Sequence, residues 1–433
     1  MTGVTVVVEQ LRRRVEGGIG TCARGLLAGL AALGDRELEV TLVASRSPTR
    51  PDPLGLLGYP VSTSLLPGLV LQRLWDAGLG GLPGTAPGRV VHATSLLSPP
   101  VRERVLSTAV FDLAWRSVPE HFTRRGRIWH EAALLRAVQR SAAIVVPSAA
   151  TAEALGELPG LDRDAIEQIV PGSDHLPAPD EPGATALLRH FGVETPYFIV
   201  VGTLEPRKNL PRLIEAYEIA ARSLPEPWPL LVVGPAGWGP DNSGSSAPCA
   251  SGRPRRVGRV IPTGYVKASV LAALYRRARL VAYVPLQEGF GLPALEAMAA
   301  GTPLVSSPVP SVVEALRGHG ARDSSAQCRD QRPGELSSCT GQSSVTGTQG
   351  HRSSSARAGY LVDPLDVEAI ADALVVVGTN DAIRARLVRE GGERAQRCSW
   401  VAAAEDHLRL WRRLDAVSPR NTGGRRRWPG SAR

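Results

Sequence analysis

Residues Glu288-Gly289-Phe290-Gly291-Leu292-Pro293-Ala294-Leu295-Glu296-Ala297-Met298-Ala299-Ala300-Gly301-Thr302-Pro303 read as the turn and helix of a strand–turn–helix unit. They follow the short apolar run Leu280–Val284. Proline suits the first turn of a helix and glycine its C-terminal cap, which are the places of Pro293 and Gly301. Glycines ahead of the helix let the backbone approach a ligand closely. The helix start adds free amides and a positive dipole end, so the unit predicts a site for phosphate. Glu288 precedes the helix and Glu296 lies inside its first turns, so both can face one crevice. Carboxylates are poor partners for phosphate but good bidentate acceptors for sugar hydroxyls. A bare E-x7-E spacing usually means two solvated glutamates; the glycines and the helix punctuation reverse that reading here.

Around this unit the chain alternates strands and helices. Upstream lie strand Tyr197–Val201, helix Leu210–Arg222, strand Leu230–Val233 and helix Ser269–Arg277, and strand Pro303–Ser306 follows. The N-terminal half shows the same rhythm: strands Val4–Glu9, Val40–Ala44, Arg89–His92, Thr108–Phe111 and Ala143–Pro147, with helices Thr21–Leu33, Arg127–Ser141 and Ala149–Leu158. Such alternation predicts parallel sheets covered by helices on both faces. The Pro/Gly/Asp/Glu-rich stretch Pro171–Gly183 reads as a linker between two such halves. A cleft between them, at the carboxyl ends of the strands, is where a ligand belongs.

Two further stretches fall at strand ends. Gly202-Thr203-Leu204-Glu205-Pro206-Arg207-Lys208-Asn209 places Arg207 and Lys208 where they can neutralise a diphosphate, the arginine by its fork and the lysine as a point charge. Lys208 is one of only two lysines in an arginine-rich chain, which argues against a merely solvated helix start. Gly17-Gly18-Ile19-Gly20 reads as a loop between the first strand and the first helix, with amides that could cap a phosphate from the opposite half. It lacks the full dinucleotide-binding glycine fingerprint.

Composition narrows the classes. The chain has 433 residues, 43% hydrophobic and 21% charged, which suits two or three soluble domains. No run approaches the ~18 apolar residues of a membrane span, and Met1–Gln10 leads directly into a strand, so we read neither a span nor a signal peptide and expect a cytoplasmic protein. Five cysteines without a C-x-x-C pair disfavour a disulfide framework or a structural zinc site. The net charge of +9 sits outside the α/β rhythm: Met1–Asp180 balances 18 arginines against 18 acids, while Gly239–Val260, Gly318–Ala358 and Arg412–Arg433 carry the surplus. Charge placed in loops and a tail does not indicate nucleic-acid binding. Segments 240–256 and 318–358 are Ser/Gly/Arg-rich and nearly devoid of aliphatic residues, so they read as insertions without a core of their own. The basic tail 418–433 reads as disordered.

Taken with Gly264-Tyr265-Val266, these motifs resemble the retaining glycosyltransferases of family 4, and bacterial mannosyltransferase-like members in particular. The resemblance covers most of the chain outside the two insertions and the tail. It implies the α/β GT-B fold: two Rossmann-like domains facing across a cleft, residues 1–180 on the acceptor side and 181–400 binding the nucleotide sugar, then a C-terminal helix at 401–417. It also implies transfer of a hexose, mannose favoured, from a nucleotide diphosphate sugar such as GDP-mannose to a glycan or lipid-linked acceptor, without metal or other cofactor. Catalytic roles fall to Asp112, Arg207, Lys208 and Glu288, with Glu288 on the donor hexose and both cations on the departing diphosphate. Donor binding falls to Gly17, Gly18, Gly202, Arg207, Lys208, Phe290, Gly291, Leu292 and Glu296, with Glu296 on the ribose. The chain departs from many such members at Phe111-Asp112, where they carry His-Asp. This motivates an alternative, a catalytically silent nucleotide-sugar-binding protein of the same fold; a nucleotide-sugar epimerase is a third reading. The arginines at 12–14 and 124–125 favour peripheral membrane contact, and the neutral balance of the N-terminal half does not.

Other candidates are bland. Asp162-Arg163-Asp164 reads as a helix cap rather than a metal motif, His92 as a core histidine or an acceptor-side residue, and His130 as a helix-surface residue.

Overall fold

The computed structural model describes residues 2–13, 15–83, 88–101, 104–226, 228–235, 259–318, 354–356 and 358–416. The expected insertion at 240–256, most of that at 318–358 and the tail 418–433 lie outside the described residues. Two seven-stranded sheets make the frame. The first holds β1 (Thr2–Val7), β2 (Leu38–Ala44), β3 (Val61–Thr63), β4 (Val90–Ala93), β5 (Val105–Ala109), β6 (Ala143–Val146) and β7 (Ile166–Gln168). Its spatial order is β3-β2-β1-β4-β5-β6-β7, parallel throughout. The second holds β8 (Phe198–Val201), β9 (Leu230–Val233), β10 (Val260–Gly264), β11 (Leu280–Tyr283), β12 (Leu304–Ser306), β13 (Ser354–Ala356) and β14 (Gly359–Leu361). Its order is β10-β9-β8-β11-β12-β14-β13, parallel except for the β13–β14 pair.

The central strands are buried on both faces, which is why they read as continuous apolar runs rather than alternating ones. Strand order reverses between β1 and β4 in one sheet and between β8 and β11 in the other. These are the points where loops diverge and leave a crevice at the carboxyl ends.

The 318–358 segment, which reads as an insertion without a core of its own, joins the second sheet at its end: Ser354–Ala356 pairs antiparallel with Gly359–Leu361, and Ala358 is buried. A ladder is made by backbone groups, so a serine-rich run can join a sheet edge without aliphatic side chains.

The helix Trp400–Ala416 returns to the first half and packs along the helix Gly17–Leu33. Two glycines permit the approach, since a Cβ at Gly29 would sit 2.1 Å from the Trp400 carbonyl oxygen and one at Gly25 would overlap the indole. Arg412 bonds Asp35 at 2.7 Å and Arg413 bonds Glu167 at 2.6 Å, so the crossing is also held at its far end. Beneath it His92 meets His407 edge-to-face at 5.2 Å, and both rings abut Trp411. His92 is therefore a core residue, its Nδ1 paired with Ser107 Oγ at 2.9 Å. Burial drives His407 down to about 4, and burial together with His407 drives His92 well below its usual value. Unfolded histidines titrate near ~6.5, so acid protonates the unfolded chain first. Stability from this contact is present above that pH and is lost as pH falls towards 4. Replacing His407 by phenylalanine is expected to flatten the pH dependence of the urea midpoint between those limits.

Candidate functional site

The loops after the adjacent strands β8 and β11 are tied together: Leu286 N donates to Arg207 O at 2.8 Å. Asn209, buried in a left-handed conformation at φ 61°, donates from Nδ2 to Val284 O at 3.1 Å and to Pro364 O at 2.7 Å. This presents Arg207 and Lys208 to the loop that carries Glu288. Lys208 Nζ bonds Glu288 Oε1, and Arg207 Nη1 reaches Glu288 Oε2 at 3.1 Å. Arg207 Nε is held by Glu205 at 2.8 Å.

The electrostatics follow from that pairing. Burial alone would raise the Glu288 carboxyl, but Lys208 and Arg207 outweigh it and bring the group down to about 2. Burial likewise works against the Arg207 charge, yet Glu288, Asp112 and Glu205 raise its pKa above the ordinary value. Asp112 thus acts on Arg207 from the opposite half. Its Oδ1 also accepts from Ala114 N at 3.1 Å, closing a turn just ahead of the short helix Ala114–Ser117.

The two halves meet at this point. Ser148 Oγ donates to the Gly289 carbonyl at 2.8 Å, and a Cβ on Gly289 would fall 2.0 Å from the Phe111 carbonyl oxygen. Gly291 precedes the helix Leu292–Ala299 at φ 95°, and no side chain caps that helix. Across the cleft the helix Gly17–Leu33 also starts without a side-chain cap, and a Cβ on Gly18 would touch Leu292 Cδ1 at 3.4 Å. Two positive helix ends therefore face one another beside two side-chain cations. The glycines at 17–20, expected as a loop, form the first turn of the helix itself. Glu16, paired with Arg24 and accepting a hydrogen bond from Gly20 N, starts the helix four residues earlier than Thr21.

Glu296 is buried one helical turn further in. Its Oε1 meets His175 Nε2 at 2.9 Å and its Oε2 accepts from Tyr275 OH at 2.7 Å. Tyr283 lies between the two glutamates; burial first, then the charges of Glu288 and Glu296, push its hydroxyl far above the usual range. Gly202 follows β8, and its α-carbon faces Lys208, whose Cε would lie 3.7 Å from an added Cβ. The structure therefore gathers Arg207, Lys208, Glu288, Gly202, Gly18, Asp112 and the Phe290–Leu292 turn around one crevice. Glu296 sits at its inner wall.

His175, Tyr275 and Asn209 were not singled out as site residues by their spacing. Their partners lie 121, 21 and 75 or more positions away, and no local pattern signals those contacts. Phe111 lines an apolar cavity of about 40 Å³ together with Cys22, His92, Trp400 and His407. Asp162 caps a turn through Asp164 N at 3.1 Å, and His130 is half-buried, stacked on Trp115 at 4.9 Å rather than lying on an open helix surface. Among the described residues no three His, Cys, Asp or Glu side chains gather as metal ligands. Among them, too, no helix is long and apolar enough to cross a membrane.

Comparison with known proteins bears on the fold and on the segment that carries part of this site. Residues 190–322 match the family model described as glycosyl transferases group 1. An O-antigen chain mannosyltransferase B of Escherichia coli is 33% identical over 159 residues, 37% of this chain and 41% of that protein. A D-inositol 3-phosphate glycosyltransferase of Rhodococcus erythropolis is 33% identical over 190 residues, 42% of this chain and 41% of that protein. The chain thus spans less than half the length of these curated relatives. Among solved structures, Anabaena HepE in complex with UDP and glucose superposes with a TM-score of 0.65 at 18% identity, covering 96% of this chain and all of that one. The lipopolysaccharide glycosyltransferase WaaG superposes at 0.59 and 15% identity, covering 94% and 99%. The chain has the GT-B fold, and its segment 190–322 carries the sequence pattern of the glycosyl transferases group 1 family.

Proposed function

We propose that the protein is a retaining glycosyltransferase of the family 4 type. It moves a hexose, mannose favoured, from a nucleotide diphosphate sugar to a glycan or lipid-linked acceptor. The observation that carries the reading is the convergence of Arg207, Lys208 and two helix starts without a side-chain cap on one crevice walled by Glu288 and Glu296. Negative charge grows on a diphosphate as the sugar leaves, and preorganised cations and dipoles stabilise that charge in a water-poor site. Two side-chain cations supply the counter-charge, so the transfer is expected to need no metal. Glu288, ionised between them, is placed to accept hydrogen bonds from hexose hydroxyls, and Glu296 from ribose hydroxyls. Retention follows if the acceptor attacks from the face the diphosphate leaves, without an enzymic nucleophile. Mannose is favoured by the resemblance at 112–116 and by the Escherichia coli relative's activity. The protein would act in the cytoplasm, on acceptors presented there or at the membrane surface.

The test is incubation with GDP-mannose, UDP-glucose or ADP-glucose in chelator, following release of nucleoside diphosphate and the configuration of the sugar product. Slow hydrolysis of one donor with retention is expected, and inversion would overturn the mechanism. A second reading rests on Phe111, whose ring offers no hydrogen bond at a position where the family resemblance implies histidine. A silent binding protein would bind donor without hydrolysis, and Phe111→His would not confer turnover.

A further inference from the structure

We infer that His175 is a positioning residue: it fixes the Glu296 carboxylate in the orientation that receives the ribose and ties that carboxylate to the C-terminal crossover segment. The inference rests on the donor-site reading above and goes beyond it, since His175 lies in the stretch between the two halves and not in any nucleotide-binding motif.

Three observations carry it. Glu296 is buried and makes one contact with His175 Nε2 at 2.9 Å and one with Tyr275 OH at 2.7 Å. A carboxylate only accepts hydrogen bonds, so Nε2 carries the proton. His175 Nδ1 is buried and has no hydrogen-bond partner among the described residues, so no other described residue uses this ring's polarity. The ring's own place is set from the far end of the chain. It meets Trp400 edge-on at 6.2 Å, Asp174 Oδ1 accepts from Trp400 N at 2.8 Å, and Ser173 Oγ donates towards the carbonyls of Ala395 and Cys398 at 2.9 Å.

With one oxygen held by the histidine and the other by the tyrosine, the carboxylate cannot rotate about its terminal bond. Each oxygen keeps a further lone pair for a ribose hydroxyl. Loss of the His175 contact frees that rotation while leaving the diphosphate cations untouched. The expected signature is therefore confined to the ribose hydroxyls.

The experiment is calorimetric titration of wild type, His175→Ala and His175→Gln with GDP and UDP and with their 2′,3′-dideoxy counterparts. Wild type is expected to bind one ribonucleotide at least tenfold more tightly than its dideoxy form. His175→Ala is expected to lose about tenfold for the ribonucleotide and nothing for the dideoxy form. The glutamine amide can reach the same oxygen, so His175→Gln should retain the preference. If His175→Ala does not fold, His175→Phe keeps the contact with Trp400, removes only the donor and carries the same comparison. An unchanged preference in the alanine variant, or an equal loss for both nucleotides, would overturn the inference alone. No binding of either nucleotide by the wild-type protein would overturn the donor-site reading and this inference with it.

Discussion

Lys208→Ala is expected to lower turnover of the nucleotide sugar by about 10²–10³-fold, with the loss mainly in kcat. The reason is where the ammonium sits. Lys208 is only 15% exposed, in contact with Glu288 and 5.5 Å above the Tyr283 ring, so water contributes little to screening its charge. Interactions stronger in the transition state than in the ground state raise the rate, and diphosphate charge is greatest as the sugar departs. The fold is expected to survive, because Glu288 keeps its 3.1 Å contact with Arg207. Lys208→Arg is not a neutral swap, since a planar fork cannot occupy the place of a compact ammonium. Steady-state kinetics with whichever of the three donors is turned over checks this; a change in KM alone would assign Lys208 to ground-state binding.

Glu288→Ala is expected to act chiefly on folding. It removes the shared anion from two nearly buried cations that then face each other, and breaking a buried ion group in this way costs about 3–5 kcal/mol. Glu288→Gln keeps the shape and accepts a hydrogen bond, so it should fold better while still losing donor turnover. The pH dependence separates the charge from the shape. A glutamate in an unfolded chain titrates near ~4.3, and in the folded protein Glu288 titrates at about 2. Its stabilisation is therefore complete above the unfolded value and is lost as pH falls from there through 2. The difference in unfolding free energy between wild type and Glu288→Gln should be constant above pH 5 and shrink below pH 4. This window lies below that of His407, which titrates at about 4.

The parts of this site that were legible in the sequence are those whose cause is local. Gly291, Pro293 and Gly301 announce a helix by the conformations they allow, and that helix start forms where those residues place it. Arg207 and Lys208 were readable because the short stretch that carries them begins directly after the apolar strand Phe198–Val201. Strands β3, β7 and β14 were not, for they are short edge or near-edge pieces whose pairing is set by neighbours distant in sequence. The crossing of Trp400–Ala416 onto the first half depends on Gly25 and Gly29, whose value as a groove appears only once the second helix is in place. The helical start at Gly17 was masked by glycine's low helix propensity, which the Glu16–Arg24 pair and the neighbouring sheet override. His92 stands at a strand end, as expected, but the returning helix covers it and makes it core.

The most direct measurement is calorimetric titration of chelator-treated protein with GDP, UDP and ADP, on wild type and on Lys208→Ala. The account predicts one nucleoside diphosphate bound at a single site without metal, with affinity reduced in the variant, because the free diphosphate carries the full charge that develops on the leaving group. A folded wild-type protein that binds none of the three, or that binds equally well without Lys208, would contradict it.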